Sequence, residues 1–76
     1  MHNVTIYTTT MCHWCHKAKE YFKANNIEYK EFNVQEDTSR AQEMVEKSGQ
    51  TGVPVIDIDG QVIIGFNRPA IEAALK

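Results

Sequence analysis

The two cysteines of the chain, Cys12 and Cys15, lie three positions apart in the run MCHWCHKAK (11–19). A short β-branched and aromatic run, NVTIYT (3–8), precedes them and is typical of a strand. From His13 onward, apolar residues recur at three- and four-residue spacing, which indicates a helix. The pair therefore lies where a strand passes into a helix, and unpaired N–H groups at a helix N-terminus favour a thiolate at Cys12.

Strand and helix patterns alternate along the first half of the chain. The helix that begins at His13 is predicted to continue to about Asn25, where Asn25-Asn26 can close it in a left-handed conformation. The run IEYKEFNV (27–34) alternates with a period of two and predicts a second strand. Since a helix joins the two strands, we expect a right-handed βαβ unit with parallel strands.

A second amphipathic helix is predicted in DTSRAQEMVEKSG (37–49). Asp37 or Ser39 can cap its N-terminus, and Gly49 can end it. We expect its apolar stripe to be buried, and that stripe comprises Ala41, Met44 and Val45.

The last third of the chain predicts a hairpin and a third helix. In VPVIDIDGQVII (53–64), Asp59-Gly60 between two β-rich runs suits a type I′ turn. Asn67 can cap the final helix, and Pro69 lies in its first turn, where a missing N–H has no cost. The residues that this helix is expected to bury are Ile71, Ala74 and Leu75.

The predicted order of elements is β-α-β-α-β-β-α, with one parallel pair and one antiparallel hairpin in a four-stranded mixed sheet. The central strands are almost continuously apolar, so helices are expected on both faces. A chain of 76 residues has room for one domain, which we assign to residues 1–76. The sequence therefore predicts an α/β sandwich.

Composition narrows the classes of function. Apolar residues make up 42% of the chain and charged residues 24%, as in folded proteins. The net charge of −2 argues against a nucleic-acid partner, because nucleic-acid binders present a basic face.

The start of the sequence has no basic leader or long apolar run, so we expect a cytoplasmic protein without membrane contact. In that reducing compartment, a close cysteine pair is typical of catalysis or metal binding.

Two metal-related interpretations of CHWCH are weaker than a redox one. The run matches the C-x-x-C-H pattern of haem attachment, but haem is attached outside the cytoplasm. A zinc site needs four tetrahedral ligands, usually as two separated pairs, and here all but His2 are bunched in one run. We expect no bound metal. Cys15, one turn further along and deeper, is placed to resolve a disulfide that an exposed Cys12 forms.

The run TGVPV (51–55) adds a second redox-related feature, a proline just before a predicted strand. A cis peptide bond between Val53 and Pro54 would present the Val53 backbone to an incoming peptide thiol.

These runs together resemble the glutaredoxin family over nearly the whole chain, in YTTTMCHWCHKAK, GVPV, IDG and IGFNRPAIEAAL. The resemblance implies a thioredoxin-like fold and thiol–disulfide oxidoreductase activity, with Cys12 as nucleophile and Cys15 as resolving thiol. It also implies a monomer that acts on disulfide-bearing proteins, uses glutathione as a co-substrate and holds no tight cofactor. The substrate- and glutathione-binding residues that it implies are Trp14, Val53, Pro54, Gly65, Phe66 and Asn67.

Three positions depart from the family pattern. Thr9 stands where a lysine is typical, and Asn67 where an acidic residue is typical, so two expected glutathione anchors are neutral. Arg40 or Arg68 is an alternative partner for a glutathione carboxylate.

GFNRP is similar to the GFRP run of redoxins that are reduced by thioredoxin reductase, which leaves the reductant open. His13 replaces a common proline, and such family members are compatible with a glutathione-ligated iron–sulfur cluster, so cluster carriage is the alternative function.

Overall fold

The computed structural model describes residues 2–76 and contains four strands and three helices in the predicted order. Two short turns and four longer loops connect them. The elements are β1 (Val4–Thr8), α1 (His13–Ala24), β2 (Lys30–Asn33), α2 (Thr38–Ser48), β3 (Val55–Ile58), β4 (Gln61–Ile64) and α3 (Arg68–Ala74).

The strands form one mixed sheet in the order β2-β1-β3-β4. β1 pairs in parallel with β2, which places Tyr7 opposite Phe32. β1 pairs antiparallel with β3, and β3 pairs antiparallel with β4. The predicted parallel pair and hairpin are thus confirmed, and the hairpin turn has positive φ at both Asp59 (53°) and Gly60 (91°).

Alternation along the central strands gives the sheet two apolar faces. Val4 and Ile6 of β1 pack with α1 and α3 on one face, where Phe22 and Ile71 are fully buried. Tyr7 points to the other face and packs with Met44 of α2. Helices therefore cover both faces, which confirms the predicted α/β sandwich.

Two sequence predictions, on the second strand and on α2, need correction. The strand predicted at 27–34 is shorter, because the N–H of Ile27 turns back to the carbonyl of Phe22 (2.8 Å) and closes α1. The closure itself is as predicted, since Asn26 has a left-handed conformation with φ 56°. Val45 is 38% exposed, because only Met44 of the α2 stripe reaches the sheet.

Helix α3 buries less than predicted. Ile71 is fully buried, but Ala74 and Leu75 only pack partly against the core. None of the helices within residues 2–76 has the length and apolar character needed to cross a membrane.

Candidate functional site

Cys12 and Cys15 meet at the N-terminus of α1, where the cysteine pair was predicted. Cys12 is the N-cap residue, with extended backbone angles, and its Sγ accepts a hydrogen bond from the N–H of Cys15 (3.1 Å). The two residues form a disulfide across a Cα–Cα distance of 5.2 Å. Cys15 is 1% exposed, whereas Cys12 is only partly buried. Of the two cysteines, only Cys12 is therefore accessible to the sulfur of another molecule.

The loop before Cys12 is fixed by the end of β2. The carbonyl of Thr8 accepts from the N–H of Val34 (2.9 Å), and the Nδ2 of Asn33 donates to the Oγ1 of Thr10 (3.1 Å). The N–H of Thr10 in turn donates to the Oε1 of Gln35 (3.3 Å). These bonds hold the loop without involving either cysteine.

An apolar groove of about 270 Å³ brings together five of the eight predicted site residues. The peptide bond between Val53 and Pro54 is cis, as predicted. The N–H of Gly65 donates to the carbonyl of Pro54 (2.9 Å), which joins the loop before β3 to the loop before α3. Gly65 has φ 78°, a conformation that L side chains rarely adopt. The residues that line the groove are Trp14, Val53, Pro54, Gly65 and Phe66.

Asn67 lies beside this groove but does not line it. Its side chain caps α3, since its Oδ1 accepts from the N–H of Ala70 (3.3 Å). The structure thus gives Asn67 a local role in starting the helix, in agreement with the sequence prediction of a cap.

The two arginines that were considered as glutathione anchors have partners elsewhere. Arg40 lies over the Phe32 ring (3.9 Å to the centroid) and pairs with Glu43 (3.1 Å). Arg68 lies over the Tyr21 ring (5.1 Å) and is 3.7 Å from a carboxylate oxygen of Glu72. Neither arginine lines the groove, whose walls carry no charged side chain.

A polar contact that the sequence analysis missed lies between α1 and the sheet. Glu31 accepts hydrogen bonds from the Oγ1 of the fully buried Thr8 (2.9 Å) and the Nζ of Lys19 (2.9 Å). Burial alone acts to raise the pKa of Glu31, but the Lys19 and Thr8 hydrogen bonds outweigh it and leave that pKa below its ordinary value. Period-two alternation from Tyr29 places Glu31 on the side of the sheet that faces α1, and that pattern is the signal that was available.

Comparisons with known proteins agree on one family. The family model for glutaredoxin matches residues 4–63. An uncharacterized glutaredoxin-like 8.6 kDa protein in the rubredoxin operon of Clostridium pasteurianum is 45% identical over 73 residues, which cover 96% of this chain and 97% of that protein. Glutaredoxin 3 of Escherichia coli K12 is 38% identical over 65 residues, which cover 86% of this chain and 78% of that protein. The crystal structure of the thioredoxin-like protein BC3987 has a TM-score of 0.88 at 29% sequence identity, and the match covers 95% of this chain and 99% of that protein.

Proposed function

The chain belongs to the glutaredoxin family and is a thiol–disulfide oxidoreductase, and from this premise we propose that it reduces protein disulfides and glutathione mixed disulfides through Cys12. The observation that carries the proposal is the asymmetry of the pair. Cys12 caps α1 and is partly exposed, whereas Cys15 is 1% exposed. A thiolate at a helix N-terminus is stabilised by the dipole and by N–H donors, so Cys12 is the nucleophile and Cys15 the resolving thiol.

The proposed reaction has two exchange steps. The Cys12 thiolate attacks one sulfur of the substrate disulfide, forms a mixed disulfide and releases the other sulfur as a thiolate that takes a proton from water. Cys15 then loses its proton, and its thiolate attacks the Cys12 sulfur. This releases the second substrate thiolate and leaves the Cys12–Cys15 disulfide, so two electrons pass from the pair to the substrate.

The groove supports the substrate in this scheme. Trp14 is 59% exposed, and it forms one wall, with Phe66 and the Val53-Pro54 segment forming the rest. We expect the backbone of Val53 to pair with the substrate backbone and hold its sulfur beside Cys12. Pairing through backbone atoms tolerates many substrate side chains, which suits an enzyme for varied disulfides.

Regeneration of the dithiol requires two electrons from outside the chain. We propose glutathione as the donor, with two molecules oxidised to glutathione disulfide for each Cys12–Cys15 disulfide reduced. The uncharged groove walls predict weak glutathione binding, so turnover needs a high glutathione concentration. Turnover only with thioredoxin reductase would instead assign the chain to the redoxins that use that reductase.

Two single variants test the roles of the cysteines. Cys12→Ser is expected to abolish reduction of both protein disulfides and glutathione mixed disulfides, because no mixed disulfide can form. Cys15→Ser is expected to stop protein disulfide reduction when no glutathione is present, because no second thiol resolves the mixed disulfide, while glutathione exchange continues, since glutathione can resolve the Cys12 intermediate. Lys23→Gln, an exposed change in the last turn of α1, serves as the control. Activity that survives in Cys12→Ser would overturn the proposal.

Absorbance separates this function from cluster carriage, the alternative raised by His13. An oxidoreductase stays colourless and monomeric after anaerobic treatment with iron, sulfide and glutathione. A brown dimer that loses its colour in Cys12→Ser would contradict the proposal and favour the cluster carrier.

A further inference from the structure

We propose that His2, Asp59 and the carbonyl of Leu75 form a proton-dependent latch, which holds the end of α3 while the His2 ring carries a proton on both nitrogens. The latch joins three segments: the residues before β1, the turn between β3 and β4, and the end of α3. It lies at the opposite end of β1 from the cysteine pair and takes no part in the proposed disulfide chemistry.

The His2 ring faces an acceptor at each of its two nitrogens. Its Nδ1 lies 2.5 Å from the Oδ2 of Asp59, and its Nε2 lies 2.8 Å from the carbonyl oxygen of Leu75. A carbonyl oxygen can only accept a hydrogen bond, and the same holds for an ionised carboxylate. A neutral imidazole has one N–H and the protonated ring has two, so both contacts are hydrogen bonds only in the protonated form.

The Asp59 carboxylate is held in position for this contact. Its Oδ1 accepts from the N–H of Asn3 (2.8 Å), and the N–H of Asp59 donates to the carbonyl of Asn3 (2.9 Å). The Asn3 N–H, followed by the His2 ring, lowers the pKa of Asp59 below its ordinary value. The carboxylate is therefore ionised throughout the range of about pH 5 to 8 in which an imidazole changes its charge.

Helix α3 has no positive charge of its own at its C-terminus. It has seven residues, its last turn contains no basic residue, and Leu75 is its C-cap residue. The last carbonyls of a helix have no partner within the helix and carry partial negative charge, so a cation there is stabilising. His2 supplies both the missing hydrogen-bond donor and the missing charge.

Three other charged residues lie near the ring. Glu28 and Lys30 line a groove of about 250 Å³ beside His2, and Lys76 follows the C-cap of α3. A second groove beside the ring, of about 300 Å³, adds no further charged side chain. Glu28 favours the second ring proton, and the two lysines oppose it, but the ion pair of the ring is with Asp59. Asp59 therefore has the largest effect on whether the ring keeps that proton.

Loss of the second proton breaks the contact with Leu75. An ionised carboxylate is a stronger acceptor than a carbonyl, so a neutral ring keeps its proton on Nδ1. The unprotonated Nε2 then repels the Leu75 carbonyl, and the end of α3 is released. The latch is thus closed at acidic pH and open at alkaline pH. The side chains of His2 and Asp59 are 34% and 43% exposed, so competition from water keeps the effect small.

The test follows hydrogen exchange of the Leu75 amide, which donates to the carbonyl of Ile71 (3.1 Å) at the end of α3. NMR measures the exchange rate on the full chain between about pH 5 and pH 8. Each rate is expressed as protection relative to an unstructured peptide at the same pH. The disulfide form is used, because neither cysteine titrates in it. The protection of the wild type is expected to fall about two- to fivefold over this range.

Two variants assign the change to the latch. His2→Gln has no titratable ring, so its protection should not depend on pH. Asp59→Asn keeps an oxygen for the Asn3 N–H, and its side-chain amide can donate to Nδ1 of a neutral ring whose Nε2–H still binds Leu75. Its protection should therefore persist at pH 8. His16→Gln removes an exposed imidazole from α1 and is the matched control, whose protection should fall as in the wild type.

Four results would overturn the latch: constant protection in the wild type, a fall as large as that of the wild type in His2→Gln or in Asp59→Asn, or constant protection in His16→Gln. None of these measurements involves disulfide exchange. Failure of the latch would therefore leave the proposed function standing, and inactivity of the enzyme would leave the latch standing.

Discussion

At the scale of single residues, the cysteine pair shows what spacing can predict. Three positions are nearly one helical turn, so Cys15 lies on the same side of α1 as the N-cap Cys12 but one turn deeper, and Cys15 is indeed 1% exposed. The cis bond at Val53-Pro54 followed from the resemblance to a known family and not from the local pattern, because most X–Pro bonds in folded proteins are trans. The exposure of Val45 was not predictable, because a stripe predicts a face but not how far the sheet extends beneath it.

The asymmetry of the pair leads to a prediction about reactivity. In the reduced protein, Cys12 should react first with iodoacetamide, and its thiol pKa should lie well below the value of about 8.5 for free cysteine. The cause is the helix N-terminus together with the N–H of Cys15, which lies 3.1 Å from the Cys12 sulfur. Alkylation across pH, read by mass spectrometry of each peptide, gives the titration curve.

The buried Cys15 supplies the internal control for this measurement. Modification of Cys15 ahead of Cys12, or titration of Cys12 like a free thiol, would refute the assignment of the nucleophile.

At the scale of elements, Glu31 joins three parts of the site. It lies on β2 and accepts hydrogen bonds from Thr8 at the end of β1 and Lys19 on α1, so it ties the cysteine-bearing helix to the sheet. It also pairs with the Lys19 charge, which the sequence analysis did not anticipate. Alternation predicts which face a residue occupies, but the partner on that face depends on how α1 crosses the strands. Helix crossing is set by packing, and no local pattern encodes it.

Glu31→Gln is expected to lower the free energy of unfolding by about 1 kcal/mol at pH 7, because the side chain is partly exposed and its ion pair is screened. The folded-state pKa of Glu31 is lowered, so its contribution is present above the unfolded pKa and is lost as the pH falls through the folded pKa. The wild type and variant should therefore converge below about pH 4. Urea unfolding at several pH values measures the difference.

Glu20→Gln, an exposed change on α1, is the matched control and should show no such pH-dependent difference. A Glu31→Gln penalty that persists unchanged in acid would show that lost packing, and not the charge, accounts for it.

At the scale of the whole molecule, the groove is the part that local patterns predict least. Its walls come from three separate segments, around Trp14, Val53-Pro54 and Gly65-Phe66. Sequence patterns predicted the βαβ unit and the hairpin, but not that β3 pairs with the free side of β1. That pairing brings the loop before β3 next to α1, so the resemblance to a known family was needed to place these residues in one site.

The lack of charged side chains in the groove walls also limits how tightly the protein is expected to bind glutathione. Glutathione carries two carboxylates and one ammonium, and a charged hydrogen bond adds roughly 1–3 kcal/mol, less where it is exposed. The double variant Thr9→Lys with Asn67→Asp supplies the two missing charges, and an aspartate at position 67 can still cap α3. We expect the KM for glutathione to fall about tenfold, with kcat within about threefold, because the contacts hold glutathione without touching the reacting sulfurs.

Steady-state kinetics at micromolar to millimolar glutathione measure this change. A second double variant, Gln42→Lys with Gln61→Asp, adds the same two charges at exposed positions on α2 and β4 and should leave KM unchanged. An equal fall in KM in both double variants would assign the effect to the general field of the protein. A wild type that already saturates at micromolar glutathione would show that the neutral groove binds glutathione well, because the backbone contacts at Val53 would then suffice without charged anchors.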